Sequence, residues 1–228
     1  MKDKSYIGIS FIILVFGIIF IPRIIERISN DDVTRIDRLN INGIKETAED
    51  LLKIIGPVPE FSLTNQLEQT ITNKDLLGKT YVVEFFFSTC PSICPIMNKN
   101  MMILEKQYID NKDFAIVSVT INPEYDTASV LKSHAEHLGV TSKNWHFLTG
   151  DKSYILSLAT KGFNLYAAEN KEADGGFEHS GLFALIDKNG QIRSRLDKHG
   201  NPIVYYDGLE DVGIQALKQD IKVLLDEK

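Results

Sequence analysis

Residues 81–87 read YVVEFFF, and within three positions the chain turns through STCPSICP, carrying Cys90 and Cys94. So uniformly apolar and aromatic a stretch is the pattern of a strand covered on both faces, which confines the chain to a sheet flanked by helices. Pro91 and Pro95 end the strand, and the pattern resumes as a helix over residues 97–108. The cysteines therefore stand at the carboxyl end of a buried strand, where open α/β sheets carry their chemistry. They are the only two in 228 residues. A bridge between positions four apart closes a very short loop and removes little entropy from the unfolded chain, so stapling does not account for the pair.

The rest of the pattern supports the same class. Residues 61–72, FSLTNQLEQTIT, alternate as a β-hairpin, and Asn73 is placed to cap a short helix over NKDLLGK. FAIVSVTI, residues 114–121, is a second buried strand; residues 127–138 are helical, 145–148 a short strand, and 152–161 another helix. Residues 182–187 and 191–195 flank the Lys188-Asn189-Gly190 turn as paired strands, and residues 209–225 close the chain as an amphipathic helix. This order of elements describes an α/β sandwich.

Ahead of it, residues 6–21 are apolar on every side, and 18 residues without a charge separate Lys4 from Arg23, the lower limit for crossing a bilayer. The chain continues IPRIIERIS, with no small-residue cleavage pattern, which favours an uncleaved signal anchor over a cleaved signal peptide. Basic residues flank both ends, so charge leaves the orientation open. The resulting division is an anchor over residues 1–29, a polar tether over 30–55 with a short helix near 48–55, and a domain over 56–228. Acidic residues outnumber basic ones 31 to 25, for a net charge of −6, which argues against a nucleic-acid partner held by phosphate contacts.

With Ser92 as N-cap, Ile93, Cys94 and Pro95 open the helix, and Pro95 lacks only a donor that has no intrahelical partner there. Both sulfurs then face the positive end of the helix dipole, which favours thiolate over thiol. A helical separation of four brings the Cα atoms to about 6 Å, within disulfide reach. One geometry thus allows a reversible disulfide or a two-thiolate metal site.

Five histidines are candidate third partners. His134 and His137 lie three apart on a polar helix and read as surface residues. His146, beside Trp145 in a short strand, reads as packing, and His199 in KHGNP as part of a turn. His179, in GGFEHSGLF, follows a glycine-rich loop and precedes an apolar strand, which marks it as a ligand or catalytic residue. Two thiolates and one imidazole select copper or zinc over hard cations, and a three-ligand set suits copper, Cu(I) in particular, better than four-coordinate zinc.

From about residue 56 to the C-terminus the chain resembles the SCO/SenC family of membrane-anchored copper proteins of cytochrome c oxidase assembly. GPVPEFSL, FFFSTCPSICP, SVTINPEYDTASVLKSHAEHLG, WHFLTGD and EHSGLFALIDKNGQI carry the resemblance. It implies a thioredoxin-like fold, copper held by Cys90, Cys94 and His179, and a single-pass anchor in the bacterial inner membrane with the domain on the periplasmic side. It also implies delivery of copper to, or reduction of the cysteines of, the binuclear copper centre of oxidase subunit II, with that subunit or another copper protein as the partner. The chain departs from the family pattern at Ser92, Asn122 and Glu178, each in the usual place of an aspartate, and at Glu84, within the strand, where an apolar or aromatic residue is commoner. A carboxyl there stands either at the sheet margin or buried with a raised pKa.

The leading reading is a metallochaperone without catalytic turnover. The alternative is a thiol–disulfide oxidoreductase with Cys90 attacking and Cys94 resolving. A peroxidase of the peroxiredoxin type shares the fold, but the nearness of the second cysteine speaks against it.

Overall fold

The computed structural model describes residues 52–227, together with residues 14–16, 18 and 20–22. The chain divides into two units, Met1–Lys45 with Lys198–Gly200 and Glu46–Asp197 with Asn201–Lys228. In the first, residues 14–16, 18 and 20–22 are helical and His199 lies in a turn. Among the described residues no helix is long and apolar enough to cross a membrane; most of the expected anchor lies outside them.

The second unit is built on β1 (Leu52–Pro57), β2 (Ser62–Asn65), β3 (Thr70–Thr72), β4 (Thr80–Phe86), β5 (Phe114–Thr120) and β6 (Trp145–Thr149). β7 (Ala167–Glu169), β8 (Phe177–His179), β9 (Leu182–Ile186), β10 (Gln191–Arg195) and β11 (Tyr206–Asp207) follow. The helices are α1 (Cys94–Tyr108), α2 (Ala128–Leu138), α3 (Lys152–Ser157) and α4 (Asp211–Asp226). The main sheet runs β1-β10-β9-β4-β5-β6-β2-β3, with β11 also on β9, while β7 and β8 pair apart from it.

The two continuous apolar runs take the centre. Every residue of β4 and β5 is buried, and the strands pair in parallel from Thr80↔Phe114 to Phe86↔Thr120. β6 adds in parallel beyond β5, and β9 lies antiparallel on the other side of β4. Each parallel step needs a crossover, and α1 and α2 supply them. α1 is tied to α4 by the Tyr108 hydroxyl, which donates to the Lys218 carbonyl at 2.8 Å. Glu105 of α1 accepts the Thr141 and Ser142 N–H groups just after α2. α2 is capped at both ends: the Thr127 side chain accepts from Val130 N–H, and Gly139 closes the helix at φ 78°.

Three local expectations are corrected. Residues 52–55 are not helical: they belong to β1, which covers the edge of β10 from Leu52↔Arg195 to Pro57↔Gln191. Asn73 caps no helix, because residues 73–78 form turns; its Oδ1 accepts the Phe61 N–H at 3.3 Å and ties the hairpin's end to its start. The helix over 152–161 changes character halfway, α3 widening into a π turn at Leu158–Gly162.

Candidate metal centre

Cys90 lies in the turn that leaves β4, its N–H donating to the Phe87 carbonyl at 3.2 Å. Cys94 is the first residue of α1, and Pro95 the second. The expected Ser92 cap is not formed. The N-cap is Ile93, with no side-chain cap, and the Cys94 N–H donates to Cys90 Sγ at 3.5 Å. The helix therefore starts one residue later than expected, and a cysteine sulfur answers one of the free N–H groups of its first turn. Ser92 Oγ stands 3.7 Å from the same sulfur.

His179 reaches the cysteines from the far half of the chain. It ends β8, paired with Ala167 of β7, and its Nε2 lies 3.1 Å from Cys94 Sγ. Nδ1 lies 3.1 Å from the Ser180 carbonyl, the backbone partner that sets the tautomer of a ligating imidazole. The Phe87 ring meets His179 edge-on at 5.9 Å. Gly175, in the loop before β8, has φ +81°, and a Cβ there would stand 2.7 Å from Phe87. The glycine-rich loop thus lets its backbone close over the aromatic ring that backs His179. The ligand atoms of Cys90, Cys94 and His179 all lie within 4.8 Å of one another, and among the described residues no fourth Cys, His, Asp or Glu joins them.

The two thiols are not equivalent. The hydrogen bond from Cys94, assisted by His179 and the Cys94 and Ser92 N–H groups, outweighs burial and holds Cys90 down at about 3. The same contact with Cys90, together with burial, raises Cys94. The pair is one thiolate and one thiol sharing a proton, with the thiolate on the more accessible sulfur: Cys90 is 8% exposed and Cys94 2%. Cys90 opens into a cavity of about 410 Å³ whose walls include Phe87, Ile93, Phe177, Glu178 and His179. Glu178 is fixed on that wall by the Tyr166 hydroxyl at 3.0 Å and the Asn170 amide at 2.9 Å.

One buried carboxylate holds the turn, and nothing in the local pattern around the cysteines pointed to it. Asp126, fully buried, accepts the Ser88 N–H at 3.0 Å and the hydroxyls of Ser88 and Thr120. It joins the exit of β4 to the end of β5, two residues before Cys90. Its position after NPEY was legible, but its partners were not.

The remaining histidines stay apart from the centre. His137 is exposed, as expected. His134 is not a surface residue: it is half-buried, stacked on Phe86 at 5.6 Å, its pKa lowered by burial. The helix face that looked polar turns this ring inward because Leu131 and Ala135 on the same face are buried. His146 is half-buried in β6, and burial lowers its pKa. Glu84 is resolved in favour of burial: it is 0% exposed, and burial raises its carboxyl to about 7 against the hydrogen bond from Ser118.

Comparison with known proteins agrees with this geometry. The family model described as SCO1/SenC matches residues 55–212. The SCO1 protein homolog of Bacillus subtilis is 28% identical over 167 residues, 72% of this chain and 81% of that protein. A Stutzerimonas stutzeri protein named for copper binding is 28% identical over 166 residues, 72% of this chain and 78% of that protein. The solved structure of BsSco, described as a member of the Sco family of cytochrome c oxidase assembly proteins and as having a disulfide switch, superposes with a TM-score of 0.64 at 27% identity. It covers 77% of this chain and 98% of that one, which establishes the thioredoxin-like α/β fold. With the match spanning well over half of its length, the chain belongs to the SCO1/SenC family.

Proposed function

We propose that this protein is a copper-binding assembly factor in which Cys90, Cys94 and His179 hold the ion as cargo. It delivers that copper to, or prepares the cysteines of, the binuclear copper centre of cytochrome c oxidase subunit II. The observation that carries the reading is the convergence of two sulfurs and one imidazole nitrogen within 4.8 Å. Soft sulfur donors with imidazole select copper, and three donors, with no fourth among the described residues, suit Cu(I) and leave a position for Cu(II) or for handover. The Stutzerimonas relative, a copper-binding protein by name, supports copper, and BsSco, of the Sco family of cytochrome c oxidase assembly proteins, supports oxidase assembly. The uncharged stretch between Lys4 and Arg23 supports a single-pass anchor over residues 1–29 followed by a tether, and the family match supports placing the domain on the periplasmic side of a bacterial inner membrane.

Each residue has a part. Cys90 presents a thiolate at the cavity mouth, Cys94 contributes a sulfur after losing its proton, and the Ser180 carbonyl keeps Nδ1 of His179 occupied so that Nε2 faces the sulfurs. Copper stoichiometry and affinity of the wild type against Cys90→Ala, Cys94→Ala and His179→Ala test the site. A His179→Ala variant with full affinity and an unchanged Cu(II) spectrum would refute three-ligand binding. Transfer of the bound copper to an isolated subunit II copper domain tests delivery.

A second reading is favoured by the thiolate–thiol pairing of Cys90 with Cys94: a thiol–disulfide oxidoreductase without obligatory copper. Reductase turnover on a disulfide substrate in the presence of a copper chelator distinguishes it.

A further inference from the structure

Lys152, the first residue of α3, is a cation that the donor set leaves unused. Its base is fixed, since Asp151 caps the helix by accepting the Tyr154 N–H at 2.7 Å. From there Nζ meets Glu169 of β7 at 2.8 Å and lies over the Phe177 ring of β8, 5.3 Å from its centre. Glu169 and Phe177 are opposite each other in the β7–β8 ladder, so one ammonium holds both halves of a single rung. The same group reaches Glu124 at 3.3 Å, in the loop whose Asp126 ties down Ser88.

The hairpin needs such a hold. Among the described residues its two strands pair with each other and with no strand of the main sheet. Its turn and base close on themselves: Asn170 N–H donates to the Gly176 carbonyl and Ser180 N–H to the Tyr166 carbonyl, both at 2.9 Å. Side chains seat it on the rest of the unit. Phe177 packs on Phe87 at 5.5 Å, His179 meets Cys94 at 3.1 Å, and Lys152 makes the one ion pair to the hairpin among the described residues. Ring packing is non-directional, and a metal entering between Cys94 and His179 replaces their direct contact. Lys152 is the tie that fixes the rung from outside in either case.

We propose that Lys152 is a positioning residue for the metal centre: it clamps the Glu169–Phe177 rung and so holds His179, two residues further along β8, in reach of Cys94. It acts through the strand, not on the donors. Glu124 is 74% exposed, and an ion pair so open to water contributes little. The pair with Glu169 is joined by cation–π attraction to Phe177, on a lysine that is only 21% exposed. A hairpin that spends time out of place lowers apparent metal affinity in proportion to the competent fraction. The inference deepens the three-donor reading above and rests on it.

The test uses the full-length chain, with Cu(II) alone as the probe. Lys152→Met keeps the stem and removes the charge; Glu169→Gln cuts the same contact from the hairpin side. Cu(II) affinity falls about fivefold in Lys152→Met, the loss expected of a part-exposed ion pair reinforced by a ring, and by a smaller factor in Glu169→Gln. Nitrogen coupling in the Cu(II) electron-spin resonance spectrum weakens in step. In the metal-free reduced protein, the imidazole nitrogen resonances of His179 broaden in both variants. Lys152→Arg, whose planar cation pairs with a carboxylate and stacks on a ring, restores all three readouts. Lower thermal stability with affinity, Cu(II) spectrum and His179 resonances as in the wild type overturns the positioning role, as does a loss that Lys152→Arg does not reverse. His179→Ala separates the two levels. If it is impaired and Lys152→Met is not, the role of Lys152 alone falls; if it binds Cu(II) as the wild type does, the three-donor reading falls and this inference with it.

Discussion

Cys94 Sγ lies 3.1 Å from His179 Nε2 although 85 residues separate them. The contact joins the first turn of α1 to β8, a short strand held by β7 outside the main sheet. It turns a pair of nearby thiols into a site with three donors. Which sulfur carries the negative charge is set first by the hydrogen bond between the two cysteines, with His179 adding to the stabilisation of Cys90.

That asymmetry predicts selective reactivity. In the metal-free reduced protein, Cys90, held down at about 3, stays a thiolate at pH 5, where an ordinary thiol is almost wholly protonated. Iodoacetamide labelling followed by peptide mass analysis is expected to mark Cys90 at pH 5 and to leave Cys94 unmarked. Equal labelling of the two at pH 5 would contradict the assignment of the shared proton.

Glu84 predicts a pH-dependent stability. An acid whose folded pKa is raised binds more protons folded than unfolded, so its contribution to stability falls as pH rises from the unfolded to the folded value. For Glu84 that interval runs from 4.5 to about 7. The shift corresponds to about 3 kcal/mol. Wild-type stability relative to Glu84→Gln is expected to fall by that order across the interval, measured by urea unfolding of the reduced proteins. His134 and His146, both lowered by burial, act in the opposite sense but equally in both proteins, and cancel in the difference.

Asp126 predicts a link between a remote carboxylate and the site. Asp126→Asn replaces an acceptor of three hydrogen bonds at the exit of β4 and should cost about 3 kcal/mol. It should also weaken copper binding, because the turn carrying Cys90 loses its anchor. Glu105→Gln is the control: it too disturbs a buried acid, one that accepts two backbone N–H groups away from the cysteines. Copper competition assays on both variants check it, and an equal effect on affinity would remove the positioning role of Asp126.

Gly175 predicts a separation between backbone strain and crowding. Gly175 and Gly176 both have left-handed φ, +81° and +83°, but only at Gly175 would a Cβ meet Phe87, at 2.7 Å. Each alanine substitution should cost about 1–2 kcal/mol from φ alone. Gly175→Ala should in addition displace the ring that backs His179 and weaken metal binding, whereas Gly176→Ala should not. Thermal unfolding and copper affinity of the two variants measure the two parts.

Much of the arrangement was readable along the chain. The runs at 81–87 and 114–121 proved to be the central strands, and the carboxyl end of the first proved to carry the cysteines. The hairpin around Lys188-Asn189-Gly190 formed as its residues dictate. Less regular pieces escaped. β7 and β8 are three residues each, too short for a period to register, yet they deliver His179. β1 is mostly exposed and owes its conformation to the β10 edge it covers rather than to its own pattern.

The sequence by itself determined the class of fold and marked the three candidate donors. Apolar period, proline and capping residues act over a few positions, and Cys90, Cys94 and His179 were marked by their immediate neighbours. Only the tertiary structure decided which sulfur holds the thiolate, that the Cys90 sulfur takes the place intended for Ser92, that His134 turns inward, and that Glu84 is sealed beneath the helices. Those outcomes depend on distances and burial between segments far apart in the chain, 34 residues from Glu84 to Ser118 and 85 from Cys94 to His179. Charge and proton affinity follow the three-dimensional neighbourhood, and no local pattern encodes it.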